Sequence, residues 1–238
     1  MVCATSTENA VWCWGEIGRE GPHVNAPVLV PSPVPLHDVV IATEGSSREH
    51  GCGLDTRGAA YCWGDNVLGE LGVGDPPSYQ IVREPRPVVG GHLYTMLALG
   101  PSFSCGIGTD GTLWCWGSVH SNGPVSSVIA VPTSVTPGIR FRTVSVGYFG
   151  GCAVSTEGEA YCWRDTGFQP TKVATDLRFR DVREGFSHRC GVTTTGDLYC
   201  WGYNGAGQLG TGTRENSATP VLVRRLYPIS APSAGIES

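Results

Sequence analysis

Lysine is nearly absent from this sequence. Lys172 is the one lysine among 16 basic residues, Lys and Arg form no run, and the formal net charge is −5. A chain without concentrated positive charge is poorly suited to a phosphate backbone, so nucleic acid is not the expected partner. Apolar runs are short as well, and none approaches the roughly 20 residues that a membrane-spanning helix needs. No signal peptide opens at Met1. The six histidines, His23, His37, His50, His92, His120 and His188, form no His-x-x-x-His or similar metal pattern. No cysteines show the Cys-x₂₋₄-Cys spacing of a zinc knuckle. "GTGT" and "GVGD" lack the lysine of a phosphate loop, and no nucleophile elbow occurs. The expectation is a protein without metal, cofactor or enzymatic activity. Helical periodicity is missing too. What is plentiful is glycine and proline, 34 and 17 of 238 residues, spread without low-complexity tracts. Such punctuation reads as turns in an all-β chain, and the length allows one domain, 1–238, with a sizeable core.

All ten cysteines fall into one frame that occurs five times: Cys3/Cys13, Cys52/Cys62, Cys105/Cys115, Cys152/Cys162 and Cys190/Cys200. "CGLDTRGAAYCW" from Cys52 is typical. Four frames hold Thr-x-Gly at the centre, as in Thr56-Arg57-Gly58, and the first holds Thr7-Glu8-Asn9. A three-residue hairpin loop ends in a left-handed residue, which glycine adopts freely and asparagine tolerates. With such a loop Asp55 closes on Ala59, Leu54 meets Ala60, Gly53 meets Tyr61 and Cys52 meets Cys62. That last pair is non-hydrogen-bonded, where Cα atoms approach to about 4.5 Å, within disulfide range. The spacing therefore predicts five hairpins, at 3–13, 52–62, 105–115, 152–162 and 190–200, each stapled across its strands. Disulfides are preferred here to reduced thiols or zinc, and paired cysteines point to an oxidising compartment.

The aromatics around the second cysteine share one face, namely Trp12/Trp14, Tyr61/Trp63, Trp114/Trp116, Tyr161/Trp163 and Tyr199/Trp201. Strands apolar on both faces belong in stacked sheets, so these rings are expected to pack sheet against sheet, with a ligand cage or photochemical role as the alternative. A β-rich run ending in glycine precedes each later hairpin ("VVIATEG", "YTMLALG", "RTVSVG", "RDVREG"), and another apolar stretch follows each. Each unit thus has four short strands. The second cysteines lie 49, 53, 47 and 38 residues apart, a period that suits propeller blades.

"CWGYNGAGQLGTGT" from Cys200, "CWGDNVLGELGVGD" from Cys62, and the "SHRCGV" and "EHGCGL" around His188 and His50 resemble the regulator of chromosome condensation repeat. The likeness is weaker after the second cysteine of repeats one, three and four, at "GEIGREG", "GSVHSNG" and "RDTGFQP". It implies a β-propeller of five four-stranded units whose loops bind other proteins, nearest in kind to disulfide-containing bacterial members. Typical members have seven blades. Here "RRLYPISAPSAGIES" resembles a run-in strand with Gly235 in place, and "MVC" begins without one. The C-terminal strand is expected to complete blade one, an open arc of a longer propeller being the alternative.

The loops between run-in glycine and first cysteine, "GSSREHGC", "GPSFSC", "GYFGGC" and "GFSHRC", emerge on one propeller face. They carry Arg48, Glu49, His50, Phe103, Tyr148, Phe149, Phe186, His188 and Arg189, types enriched at binding hot spots. The competing reading folds these side chains back beneath their turns. The repeat position shared by His50 and His188 favours a structural role for both. The segment from Asp65 to Arg86 is a second candidate surface. The expected function is a secreted or cell-surface, monomeric, non-catalytic propeller that binds another protein or a glycan. The alternatives are an intracellular exchange factor-like module for a small GTPase and an enzyme with a channel-mouth site.

Overall fold

Each of the five cysteine frames is a β-hairpin in the computed structural model, which describes residues 2–16, 23–42, 49–118, 128–164 and 167–223. In the second hairpin Cys52 faces Cys62, Gly53 faces Tyr61 and Leu54 faces Ala60. The Asp55 amide donates to the Ala59 carbonyl at 2.9 Å, closing the loop. All five disulfides form, each across a Cα–Cα distance of 4.1 Å. The loop-closing residues are left-handed throughout, with φ of 60° at Asn9, 92° at Gly58, 81° at Gly111, 83° at Gly158 and 89° at Gly196.

The described residues contain no helix. Blade one has three strands, β1 (Val2–Thr5), β2 (Val11–Glu16) and β3 (His23–Leu29). Blade two has β4 (His37–Ile41), β5 (His50–Leu54), β6 (Ala60–Asn66) and β7 (Ser78–Pro87). Blade three has β8 (Tyr94–Leu99), β9 (Phe103–Gly108), β10 (Leu113–Gly117) and β11 (Ile129–Ser134). Blade four has β12 (Phe141–Val146), β13 (Gly150–Ser155), β14 (Ala160–Arg164) and β15 (Thr171–Lys172). Blade five has β16 (Phe179–Glu184), β17 (His188–Thr193), β18 (Leu198–Gly202) and β19 (Ser217–Leu222). The run-in strands β4, β8, β12 and β16 touch their successors and so form the inner wall. The expected C-terminal strand, 224–238, lies outside the described residues.

Successive blades join in one repeated way. The tryptophan after the second cysteine packs on the disulfide face of the preceding blade. Trp63 clusters with Val11, Cys13 and Leu36, Trp116 with Cys52, Cys62 and Leu71, Trp163 with Cys105 and Cys115, and Trp201 with Cys152 and Cys162. None of these four rings is more than 3% exposed. Burying about 200 Å² of an aromatic contributes on the order of 5 kcal/mol as an upper bound, so these rings dominate the blade interfaces. The aromatics before the cysteine are only half-buried, and Trp12 is exposed.

The hairpin tips supply the second link. At the head of each run-in strand one amide donates to the left-handed residue of the preceding hairpin: Leu36, just before β4, to the Asn9 carbonyl (3.1 Å), Tyr94 to Gly58 (2.7 Å), Phe141 to Gly111 (2.8 Å) and Phe179 to Gly158 (2.7 Å). A Cβ on Gly58 would lie 2.8 Å from the Tyr94 carbonyl oxygen. Gly58→Val therefore combines backbone strain with a collision at the blade joint, and is expected to cost about 2–3 kcal/mol in urea unfolding. Asn9→Gly, at an equivalent φ, should be neutral or mildly stabilising. A Gly58→Val protein that unfolds at the parent's urea midpoint would refute this joint.

Candidate interaction surface

In blades three to five the run-in glycines lie side by side, a Gly100 Cβ position being 2.9 Å from the Gly147 carbonyl oxygen and a Gly147 Cβ position 3.0 Å from that of Gly185, but the loops they open do not present all the predicted side chains. Phe103 is fully buried. Its Cε1 sits 2.7 Å from where a Gly100 Cβ would be, so the ring folds back over its own run-in glycine. His188 repeats the arrangement, with Cε1 2.7 Å from the Gly185 Cβ position, and is 8% exposed. His50 is fully buried; its Nε2 lies 2.9 Å from Ser104 Oγ in blade three. These three residues share one position, two before the first cysteine, and that position faces inward. Their assignment to the binding face is corrected accordingly. Arg48 lies outside the described residues.

Ser104 Oγ donates to the Glu70 carbonyl at 2.8 Å. The hydroxyl proton being committed there, His50 donates from Nε2, and its buried Nδ1 has no partner. Burial pushes the His50 pKa down to about 3. The imidazole is therefore neutral and, like the serine, sealed from substrate. The unfolded chain takes up the proton near pH 6.5, so stability is complete above that pH and declines as pH falls toward 3. About 2 kcal/mol should be lost between pH 7 and pH 5. Urea melts of His50→Gln should show a flatter slope over this interval, and an unchanged slope would refute the assignment.

One and two positions further from the cysteine the side chains turn outward in blades four and five. Tyr148 and Phe149 contact edge to face at 4.7 Å between centroids. Phe186 of the next blade completes the cluster, 5.5 Å from Tyr148 and 5.0 Å from Phe149. Phe186 is 55% exposed, and the other two are half-buried. Arg164, at the end of β14, lies 5.3 Å above the Phe149 ring and donates to the Phe186 carbonyl at 3.2 Å. A cation over an aromatic face fixes both. Sequence reasoning missed Arg164, because its cross-strand pairing with Gly150 is what brings it to this end. Arg189 is largely buried; its Nε donates to Glu184 at 2.6 Å, which makes it a support for the loop.

The second candidate surface, Asp65 to Arg86, divides into a buried clamp at its start and an exposed remainder that includes Tyr79, 76% exposed on β7. Asp65 accepts the Glu49 amide (2.9 Å), Asn66 accepts the Leu71 amide (3.2 Å), and the Glu70 carbonyl accepts Trp116 Nε1 (2.8 Å). Among the described residues no cluster of His, Cys, Asp and Glu could hold a metal ion, and no helix is long and apolar enough to cross a membrane.

Residues 195–236 match the family profile of the regulator of chromosome condensation (RCC1) repeat. Over 107 residues the chain is 29% identical to the ultraviolet-B receptor UVR8 of Arabidopsis thaliana, covering 44% of this chain and 24% of the receptor. Over 123 residues it is 30% identical to human protein RCC2, covering 47% of this chain and 22% of RCC2. The matched region thus spans about a quarter of these relatives. Among solved structures, human WBSCR16 superposes with a TM-score of 0.76 at 19% identity, over 96% of this chain and 66% of the other. Prp20p of Saccharomyces cerevisiae superposes with 0.75 at 18%, over 94% and 61%. The ectodomain of the receptor kinase CR4 of Physcomitrella patens gives 0.57 at 21%, over 87% and 50%. These likenesses agree with an all-β propeller.

Proposed function

We propose that this propeller of regulator of chromosome condensation repeats is a non-catalytic module that binds another protein through the aromatic face of blades four and five. The observation that carries this reading is the mutual contact of Tyr148, Phe149 and Phe186 with Phe186 largely exposed. Aromatic anchors beside an arginine are the composition of interface hot spots. Five disulfides support a secreted or cell-surface setting, as in the disulfide-containing bacterial members that the sequence resembles. The receptor-kinase ectodomain offers a precedent for the fold in such a setting. The second reading, an exchange factor-like module for a small GTPase, draws on Prp20p, whose structure is described with its binding to Gsp1p and histones.

Two measurements separate these readings. Freshly isolated protein, denatured without reductant, should show no reactive thiols if the first holds, and ten if the chain works in a reducing cytosol. Phe186→Ser should weaken capture of the native partner by at least about 30-fold, the equivalent of a 2 kcal/mol hot spot. Unchanged capture by a correctly folded Phe186→Ser protein would exclude the aromatic face.

A further inference from the structure

The connection that follows the second cysteine runs in opposite directions in blades two and four. In blade two it leans forward onto blade three, where the Glu70 carbonyl accepts both Ser104 Oγ and Trp116 Nε1. A Cβ at Gly72 would lie 2.7 Å from the Trp116 ring, which shows how closely the loop covers the indole. Blade four lacks the length to do this. From Cys162 to Cys200 is 38 residues, against 47 to 53 for the other steps. Its connection also turns backward, with Phe168 packed on Phe103 of blade three at 5.6 Å.

A cleft of about 460 Å³ lies between blades four and five. Trp201 and Val173 form its apolar wall, while Arg164, Lys172, Arg189 and Gln169 supply polar groups. Lys172 pairs with Glu159 at 2.7 Å and Arg189 with Glu184 at 2.6 Å, but neither carboxylate lines the cleft. These pairs hold the two cations in place and offset part of their charge. Positive charge is also concentrated regionally: residues 140–189 carry eight basic against six acidic residues, in a chain of net charge −5.

We propose that this cleft receives acidic side chains of the partner segment whose apolar residue rests on Tyr148, Phe149 and Phe186. The path of that segment rests on the aromatic-face reading; the cleft's preference for carboxylates does not. Arg164 connects the two, since it stacks on Phe149 and also lines the cleft. Arg164, Lys172 and Arg189 converge on the cleft, so a carboxylate entering it can accept charge-assisted hydrogen bonds from more than one cation. Val173 in the cleft wall offers an apolar contact to the aliphatic stem of a glutamate.

The test uses a rhodamine-labelled octaglutamate peptide and fluorescence anisotropy, with octalysine as control. The full chain should bind octaglutamate, more tightly at low salt, and should not bind octalysine. Lys172→Glu should weaken binding by about tenfold or more, and Lys172→Arg should keep it. Arg164→Gln should also weaken it, while Phe186→Ser should leave it unchanged. Thermal melts of each variant identify any loss due to unfolding, and Lys172→Ala replaces Lys172→Glu if the latter unfolds. Equal binding by parent and folded Lys172 and Arg164 variants, or no binding by the parent, would overturn the cleft assignment. Displacement of octaglutamate by an equivalent charge of inorganic phosphate would overturn it in favour of a small-anion site. Because octaglutamate has no aromatic or apolar side chain, its failure leaves the Phe186 experiment intact, and the reverse also holds.

Discussion

Full reduction of the five disulfides should unfold this chain at 25 °C. Each bridge closes a loop with a sequence separation of 10. In the chain-entropy account such a loop is worth about 2–3 kcal/mol. Five together exceed about 10 kcal/mol, comparable with the entire net stability of an ordinary domain. The bridges should not open together. Cys52, Cys62, Cys105, Cys115 and Cys152 are fully buried, so reductant reaches them only when blades separate. Cys3 is partly exposed on β1, which has a neighbour on one side only among the described residues. Graded reduction followed by alkylation and mass spectrometry should label Cys3 and Cys13 first, with loss of near-ultraviolet dichroism when the buried bridges follow. A fully reduced, alkylated protein that keeps its native near-ultraviolet dichroism would show that packing alone holds the blades.

Phe103→Ala and Phe186→Ser should differ by nearly the whole range of single-residue effects. Phe103 has no exposed surface and packs on Phe168 and the cluster that joins blades three and four. Truncation there leaves a cavity and should cost about 3–5 kcal/mol. Phe186 is mostly in water, and its loss should move stability by no more than about 0.5 kcal/mol. Urea unfolding of the two single variants measures both. Similar costs would mean that the loop positions are not divided into inward and outward sets.

That division explains what could be read from the residues and what could not. The hairpins were legible because their determinants are local: a left-handed loop residue and two cysteines fix every pair between them. The tryptophan faces were legible because strand alternation leaves them no other side. Phe103, Phe149 and Phe186 looked alike because each stands between a run-in glycine and a cysteine. They occupy different positions, and which one turns inward is decided by the space above Gly100 and Gly185, a tertiary property. The direction of the blade-four connection was hidden for the same reason. "RDTGFQP" shows that the repeat signature is lost, but only the contact of Phe168 with Phe103 shows which way the chain goes.

The joint between blades is directional. A tryptophan from one blade enters the disulfide face of the blade before it, and an amide from the later blade reaches back to the earlier hairpin tip. No residue type makes the same contact in both directions, so each of the four described joints has a distinct plug and socket. Stability then behaves as a sum over nearest neighbours. A lesion in one socket, such as Gly58→Val, loosens the blade that follows it first, because only that blade plugs in there. The same rule makes the number of blades adjustable by whole-repeat duplication or loss. Each new joint would reuse an existing pair of surfaces, leaving individual connections, such as the short one of blade four, free to diverge into binding sites.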